Sequence, residues 1–431
     1  MLDIQYIRDN PDLVKEKSAQ KGYDVDVTQL LGFDNERRIL LNEVDNLRQK
    51  RNELSDTAKG QRPSEEQIEA GRLIKENIAK IEHQLASIEL EYFELLKKVP
   101  NMPAEDVPVG KSENDNVVVK EWGNKPNFDF VPKNHWQIGE AKGWIDKERA
   151  SKVAASRFAY LKGDLVLLEF ALWQFALTQL TDENVIRDIV TKNNLGISSK
   201  PFIPVLPPAV AKKEVYEATG RLNKEEQTYK IEDEDLWLNA SAEHTLAPMY
   251  LNEIINESDL PLRFVGYTTA FRREAGTYGK DMEGILRLHQ FNKLEMESFN
   301  SPDESMQEHL FMVAVQEYLM QRLGLPYRVL NKCTADIGFP NARGMDIEVW
   351  LPGQDKYRET HTADYITDFQ AQGMKTRVRK PDGSLVLAHT NDATAFSERP
   401  LIGIIENFQT IDGNVKVPEV LQPYLAGRKE I

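Results

Sequence analysis

The sequence has 431 residues with 54 basic and 69 acidic side chains, and its formal charge is −15. This charge argues against a general electrostatic binder of nucleic acid, so any RNA contact must be local. Two or three compact units are expected, since the chain exceeds a typical single domain. A single cysteine, Cys333, excludes an internal disulfide, and the seven scattered histidines leave no recognisable cluster for zinc.

The amino-terminal sequence MLDIQYIRDN lacks a basic region followed by an apolar stretch, so no secretory signal is expected. The most apolar run, 165–177, is too short to span a bilayer and contains Glu169. A buried helix, no membrane role and a cytoplasmic location are the resulting predictions.

A heptad pattern from Asp34 to about Lys59 predicts one strand of a coiled coil. Its apolar positions are Leu40, Val44, Leu47 and Leu54, and Arg51 occupies one seam position. Gly60 and Pro63 end this helix, and Ser64 followed by Gln67 is typical of a capped start to a second helix.

The second helix continues the apolar spacing of four and three through several heptads before Pro100. The positions are Ile74, Ile78, Ile81, Leu85, Ile88, Tyr92 and Leu95. The two helices predict an antiparallel hairpin over about 34–98, with arms of roughly 50 Å at 1.5 Å per residue. Such an arm serves either a coiled-coil contact between subunits or the binding of a distant partner.

Beyond the hairpin, residues 106–132 are rich in Pro, Gly, Asn and Asp and predict a linker with one short strand near 117–120. Helices are predicted at 150–155 and 165–180, and after Pro207 and Pro208. Strands are predicted at 236–239, 262–273, 285–299, 327–330, 345–351 and 385–389. An α+β fold follows, in which helices flank a mixed, largely antiparallel sheet.

The stretch Phe271–Met296 places charges at strand spacing on both sides of a glycine-bearing loop. Side chains two residues apart share a face, so Arg272 and Glu274 point one way. The second arm puts Arg287, His289, Phe291, Lys293 and Glu295 on one face. Guanidinium groups suit phosphate and carboxylate oxygens, the glutamates can accept from amino groups, and Phe291 can stack on a base. A binding site is favoured over a solvated surface hairpin.

Arg399 precedes Pro400, which is typical of the first turn of a helix. The inner face of that helix would bury Leu401, Ile402, Ile404, Ile405 and Phe408. A cation at a helix start opposes the helix dipole unless an anion lies nearby, which favours a functional role over a plain surface position.

The run FRREAG, a short loop and GILRLHQFNKLEM resemble motif 2 of the class II aminoacyl-tRNA synthetases, and among them most closely the seryl-tRNA synthetase family. ERPLIGIIENFQ, from Glu398 to Gln409, resembles motif 3, and VLPPAVAKKEVYEATG resembles motif 1. The resemblance covers nearly the whole chain, including the hairpin, the segment VPNMPAEDVPVGKSENDN at its exit, the triplet SAE at 241–243 and YRETHTADYITDFQ near Glu359.

This resemblance implies a class II catalytic domain at 133–431 after a tRNA-binding domain at 1–105 and the linker at 106–132. It implies a homodimeric, ATP-dependent ligase that uses Mg²⁺ to form seryl-adenylate and charges the 3′ end of tRNA(Ser). Charging of tRNA(Sec) is left open.

The resemblance also implies roles for single residues. Arg272 would bridge the amino acid carboxylate and the α-phosphate, Arg287 and Arg399 would hold the γ-phosphate, and these three are the catalytic cations. Glu274 would receive the adenine amino group between Phe291 and Arg399, and Glu359 and Thr362 would hold Mg²⁺. The implied serine contacts are Ser241, Glu243, Arg272, Glu295 and Thr394. The implied tRNA contacts on the arm are Arg48, Lys50, Arg51, Lys59, Arg62, Arg72 and Lys75.

Some positions depart from the family pattern. Ser241 stands where threonine is usual, Asp364 and Tyr365 replace Ser-Asn, and Gln372 and Gly373 replace Arg-Arg. The segment 389–399 is one residue shorter than usual, so the contact with the serine hydroxyl falls on Thr394 or Ala393. These departures motivate two alternatives: a catalytically weakened paralogue that binds tRNA, and an enzyme that adenylates another small amino acid or a carrier protein.

Overall fold

A computed structural model of the chain describes residues 1–57, 64–222, 228–274 and 283–431. The chain divides into two compact units, one of residues 2–100 and one of residues 101–431 together with Met1. Among the described helices, none is long and apolar enough to cross a membrane. The apolar run containing Glu169 is instead a buried helix, as predicted.

The first unit is helical. Its helices are α1 (Ile4–Asp9), α2 (Pro11–Gln20), α3 (Val27–Thr57) and α4 (Glu65–Leu96). The ion pairs Arg37–Glu89 and Arg48–Glu82, at 3.0 and 2.9 Å, show that α3 and α4 run antiparallel. The coiled-coil arm is thus present, although α3 begins seven residues before the predicted Asp34.

The cap predicted for α4 is formed. The Gln67 backbone N–H donates to Ser64 Oγ at 3.2 Å, and the Ser64 N–H donates to Gln67 Oε1 at 2.9 Å. These two bonds satisfy backbone donors that the first turn of a helix leaves without partners. Arg51, by contrast, is exposed rather than held in the seam, because its long side chain can carry the charge out to water.

The second unit is α+β, which confirms the predicted fold class. Its helices are α5 (His135–Ala141), α6 (Lys147–Ala154), α7 (Asp164–Leu180), α8 (Glu183–Lys192), α9 (Lys213–Thr219), α10 (Glu243–Leu246), α11 (Ser305–Leu323), α12 (Phe369–Met374) and α13 (Arg399–Asn407). Its strands are β1 (Val117–Trp122), β2 (Ile145–Asp146), β3 (Tyr160–Leu161), β4 (Ile203–Val205), β5 (Val210–Lys212), β6 (Leu236–Leu238), β7 (Ile254–Asn256), β8 (Leu262–Phe271), β9 (Gln290–Asn300), β10 (Tyr327–Asn331), β11 (Arg343–Leu351), β12 (Lys356–Thr367), β13 (Arg377–Arg379), β14 (Leu385–Leu387) and β15 (His389–Ser397).

Within the described residues, one eight-stranded sheet dominates, in the order β1-β10-β11-β12-β15-β9-β8-β4. All neighbours pair antiparallel except β4 and β8. One face buries apolar residues such as Met296 and Ile347 against α7, α11 and α13. The alternation of strand side chains therefore directs the polar residues of β9, β12 and β15 to the opposite face.

Strand β1 is the short strand that was expected near 117–120 within the segment 106–132. It pairs with β10, so this segment forms an edge of the main sheet inside the second unit. Three valines at 117–119 give it the strand propensity on which that prediction depended.

Two local predictions were wrong. The helix expected after Pro207 and Pro208 begins only at Lys213, because Val210–Lys212 pairs with β6. The strand expected from Ile285 begins at Gln290. Before that point, the Ile285 backbone N–H donates to the His135 ring rather than to a neighbouring strand.

Candidate active site

The seven predicted ATP contacts line one cavity, between the start of β9, the strands β12 and β15 and the first turn of α13. They are Arg272, Glu274, Arg287, Phe291, Glu359, Thr362 and Arg399. Thr394 and Lys293 line the same cavity. An adjoining hollow of about 610 Å³ shares Arg287, Glu359 and Arg399 with it. The motif 2 hairpin and the motif 3 helix therefore converge on one cavity, which sequence spacing could not establish.

Arg272 follows the last residue of β8, and its backbone N–H donates to His289 O at 2.8 Å. Its side-chain Nε donates to Ala240 O at 3.2 Å. The guanidinium lies 5.1 Å from the centre of the Phe291 ring, which is within cation–π range. These contacts fix the guanidinium beside the aromatic surface expected to stack on a base.

Glu274 and Arg287 face each other across the hairpin, with Arg287 Nη1 2.5 Å from Glu274 Oε2. The Arg287 side chain is 28% exposed, and both residues line the cavity. The carboxylate expected to bind the adenine amino group is therefore also an ion-pair partner of the arginine expected to bind phosphate.

Arg399 is the first residue of α13 and is followed by Pro400, as the sequence predicted. Its Nη1 lies 2.8 Å from Glu359 Oε1, so a carboxylate supplies the anion that a cation at a helix start requires. Burial acts to raise the pKa of Glu359, but Arg399, Lys332 and Arg272 outweigh it and lower the pKa to about 2. Glu359 is an anion at neutral pH.

Ser241, Lys293, Glu295 and Glu243 form a buried charged cluster beside the cavity. Lys293 Nζ lies 2.5 Å from Glu295 Oε2 and donates to Ser241 Oγ at 3.0 Å. Burial raises the pKa of Glu295 to about 8, although Lys293 acts in the opposite direction. Burial likewise acts to raise the pKa of Glu243, but Lys293 and its other neighbours bring it below its usual range.

Lys293 is a site residue that the sequence interpretation did not include in the binding set. The signal was present, because Lys293 shares a strand face with Phe291 and Glu295. Burial alone would lower the pKa of Lys293, but Glu295 and Glu243 raise it, so its ammonium stays charged. This cation sits among the groups expected to recognise serine.

A match to known proteins identifies the chain. Residues 1–103 match the family model for the seryl-tRNA synthetase N-terminal domain, and residues 228–408 match the class II tRNA synthetase core domain (G, H, P, S and T). A serine–tRNA ligase of Thermodesulfovibrio yellowstonii is 41% identical over 99% of both chains. The chain belongs to the seryl-tRNA synthetase family.

Solved structures of seryl-tRNA synthetases support the same family assignment. The enzyme from Pyrococcus horikoshii, crystallised with ATP, superposes with a TM-score of 0.87 at 37% identity, covering 100% of this chain and 99% of that one. The cytoplasmic serine–tRNA ligase of Naegleria fowleri, in complex with AMP, gives 0.82 at 29% identity, covering 100% and 98%. The chain is accordingly an aminoacyl-tRNA ligase, and neither alternative function gains support.

Two of the departures from the family pattern, at 364–365 and at 372–373, lie in different surroundings. Gln372 and Gly373 lie on α12, which packs against α9 and does not line the cavity. A Cβ on Gly373 would fall 2.0 Å from Ala218 O, so a larger residue there would force the backbone to shift. The packing of α12 against α9 therefore accounts for glycine at position 373, and nothing in the structure explains Gln372.

Asp364 lies instead in a row of buried carboxylates across β12, β15 and β9. The strand register pairs Asp364 with Asp392, and Asp392 with Glu297. Arg221 Nη2 donates to Asp392 Oδ2 at 2.7 Å. Burial raises the pKa values of all three acids, and those of Glu297 and Asp392 lie well above their usual range.

On the arm of this synthetase, the predicted tRNA contacts differ in their surroundings. Arg48 pairs with Glu82, and Arg72 pairs with Glu69 and Glu76 at 2.6 Å each. Lys50, Arg51 and Lys75 are exposed. Lys59 and Arg62 lie outside the described residues.

Proposed function

We propose that the chain activates L-serine with ATP to form seryl-adenylate and then esterifies the 3′ end of tRNA(Ser). The observation that carries the residue assignments is the shared cavity, in which Arg272, Arg287 and Arg399 surround one space beside Phe291. Family membership supports the reaction, and the ATP bound in the Pyrococcus horikoshii relative supports the nucleotide.

Adenylate formation joins two anions, because the serine carboxylate attacks the α-phosphorus and pyrophosphate leaves. The chain's contribution is to hold these anions together and to stabilise the charge that develops. Arg272 is the cation for the carboxylate and the α-phosphate, since it is fixed by Ala240 and Phe291. Arg287 and Arg399 serve the γ-phosphate, Glu274 accepts from the adenine amino group, and Phe291 and Arg399 sandwich the base.

Serine selection rests on the buried cluster of Ser241, Glu243, Glu295 and Thr394. Glu243 is ionised and accepts from the serine ammonium, Glu295 accepts from it once its own carboxyl has lost its proton, and Thr394 pairs with the serine hydroxyl. A site whose polar groups would lose their partners rejects alanine and glycine more strongly than an apolar pocket could. Ser241 keeps the hydroxyl of the usual threonine.

Glu359 and Thr362 fit a magnesium site. Among the described residues, no group of three or more His, Cys, Asp or Glu could hold a metal ion by itself. Mg²⁺, however, commonly takes one or two protein oxygens together with phosphate and water. Thr362 Oγ1 is buried and has no hydrogen-bond partner in the described structure, and the anionic Glu359 lines the same cavity. When bound there, Mg²⁺ would neutralise charge on the phosphates.

We extend the proposal to the arm and the assembly. Basic residues of the arm contact the phosphates of the long variable arm of tRNA(Ser), and tRNA(Sec) is a second substrate to test. These residues are Arg48, Lys50, Arg51, Lys59, Arg62, Arg72 and Lys75.

The proposed assembly is a homodimer, which is supported by exposed apolar side chains: Leu167 and Phe170 on α7 and Ile203 on β4. A reducing cytoplasm suits the free thiol of the buried Cys333.

Serine-dependent exchange between ATP and pyrophosphate tests the reaction. Serine should support exchange, whereas threonine, alanine and glycine should support far less. Folded protein that gives no exchange with serine would remove the proposal, and a preference for another amino acid would correct the substrate. Sedimentation at about twice the 49.3 kDa chain mass would support the dimer, and a monomer would contradict it.

A further inference from the structure

His135 is buried, is the first residue of α5, and contacts both halves of the ATP site from behind. Its ring Nδ1 lies 3.0 Å from Glu406 Oε1, and its ring Nε2 accepts from the Ile285 backbone N–H at 3.3 Å. Glu406 belongs to α13, the helix that begins at Arg399. Ile285 lies two residues before Arg287. One imidazole therefore connects the segment bearing one phosphate-binding arginine to the helix bearing the other.

Only one tautomer of the ring satisfies both contacts. A backbone N–H can only donate, so Nε2 must accept from Ile285, and the ring proton must reside on Nδ1. Nδ1 then donates to the Glu406 carboxylate, whose Oε1 also accepts from the His135 backbone N–H at 3.1 Å. The imidazole cannot rotate by half a turn without losing both bonds.

Glu406 is fully buried and anchors the other end of the connection. Its Oε2 accepts from the Gly353 N–H at 3.0 Å, and Oε1 accepts from Gln354 Nε2 at 3.2 Å. Charge-assisted bonds of this kind hold a carboxylate in one orientation. The histidine therefore holds Ile285 at a fixed distance from α13 and from the loop after β11.

The Nε2 edge of the ring also lies against Gly284. A Cβ on Gly284 would fall 2.0 Å from His135 Nε2, so the backbone reaches the imidazole only because residue 284 lacks a side chain. Gly284 also has a φ of +65°, a conformation that glycine adopts readily. Among the residues that the structure describes, Ile285 pairs with no strand, and its backbone N–H donates instead to the histidine.

We propose that His135 is a positioning residue of the ATP site, which sets the placement of Arg287 relative to Arg399 through the hydrogen bonds of its ring to Ile285 and Glu406. This inference rests on the proposed nucleotide-binding role of the two arginines. His135 does not line the cavity and touches no reacting atom. Its loss should weaken binding of ATP while serine binding is largely retained.

The test compares two replacements that each keep half of the connection. His135→Asn retains an amide donor near the Nδ1 position and removes the acceptor for Ile285, and His135→Gln can return an acceptor near the Nε2 position. The matched control is His309→Asn. His309 is equally buried, but its Nε2 lies 2.9 Å from Arg343 Nη1, and neither residue lines the cavity. Melting temperature and the KM values for ATP and serine in the exchange assay are measured for each variant, together with Arg287→Ala.

The KM for ATP should rise about tenfold in His135→Asn, the serine KM should stay within about twofold, and His135→Gln should recover part of the loss. His309→Asn should lower the melting temperature without raising the KM for ATP. Equal effects of the Asn variants on stability, with the KM for ATP unchanged in both, would overturn the proposal. If Arg287→Ala also leaves the KM for ATP unchanged, the nucleotide assignment itself fails. If His135→Asn does not fold, the same measurements are made on Glu406→Gln. A raised KM for ATP is expected for that variant, and an unchanged KM would overturn the proposal.

Discussion

Thr394 lies directly opposite Glu295 in the antiparallel pairing of β15 with β9. The pairing favours Thr394 over Ala393 for the proposed contact with the serine hydroxyl, because Ala393 lies opposite Met296 and belongs to the apolar core. Thr394 lines the cavity and Ala393 does not. The hydroxyl that faces the proposed serine site is therefore that of Thr394.

Thr394→Ala should raise the serine KM about tenfold and reduce the preference for serine over alanine, because a hydroxyl partner is lost. The measurement is exchange with each amino acid in turn. Ala393→Ser is the control: a hydroxyl in the apolar core should lower the melting temperature and leave the serine KM unchanged. If only Ala393→Ser altered the serine KM, the assignment would move to residue 393.

Arg272→Ala should lower the exchange rate by at least about a hundredfold while the fold stays intact, because the cation beside the reacting anions is removed. Single-turnover formation of the adenylate measures this directly. Arg273→Ala is the matched control, since Arg273 is exposed and does not line the cavity. Near-normal rates in Arg272→Ala would show that the site is assigned wrongly.

The pH dependence of serine use should follow Glu295. Burial raises its pKa to about 8. The protonated carboxyl carries no negative charge, so it binds the serine ammonium more weakly than the carboxylate does. The kcat/KM for serine should therefore rise with pH and level off above about 8, whereas the KM for ATP should show no matching step, because Glu359 titrates at about 2. Lys293→Met should move the step to higher pH, since Lys293 acts to lower the pKa of Glu295. A flat profile between pH 6 and 9 would contradict this role for Glu295.

Glu359→Gln should raise the Mg²⁺ concentration needed for half-maximal exchange by about tenfold, because a neutral amide is a weaker ligand for a hard cation. A titration of Mg²⁺ at saturating ATP and serine measures the change. Glu348→Gln is the control, since Glu348 is the strand neighbour of Glu359 but pairs with Arg328 at 2.5 Å. Equal Mg²⁺ requirements in the two variants would exclude Glu359 as a ligand.

Replacing Lys50, Arg51 and Lys75 together by alanine should raise the KM for tRNA(Ser) about tenfold or more and leave exchange unchanged. The salt dependence of tRNA binding should also weaken, by about one unit of slope for each lost phosphate contact. A triple variant of Lys15, Arg38 and Lys80 removes the same charge elsewhere in the first unit. Identical tRNA KM values for the two triple variants would show that the predicted contacts are not specific.

Much of the fold followed from periodic patterns. The heptads of the arm, the Ser64 cap and the strand at 262–271 depend on neighbours within a few residues, so the sequence predicts them. Strand β12 was missed because KYRETHTADYIT has no simple apolar alternation, and its identity depends on β11 and β15 on either side. The start of β9 was predicted too early because the Ile285 N–H donates to His135 and not to a neighbouring strand. The two residues are 150 positions apart in the chain, so local sequence could not reveal this bond.

The family and the chemical kinds of group at the candidate site could be read from the sequence, because motif 2 and motif 3 each carry their cations at fixed local spacing. The three-dimensional structure was needed to show which of these groups share a cavity, that Lys293 contacts Glu295 and Ser241, and that Thr394 rather than Ala393 lines the cavity. Strand register and burial set those relationships. They arise from contacts between residues far apart in the chain, and local spacing carries no information about them.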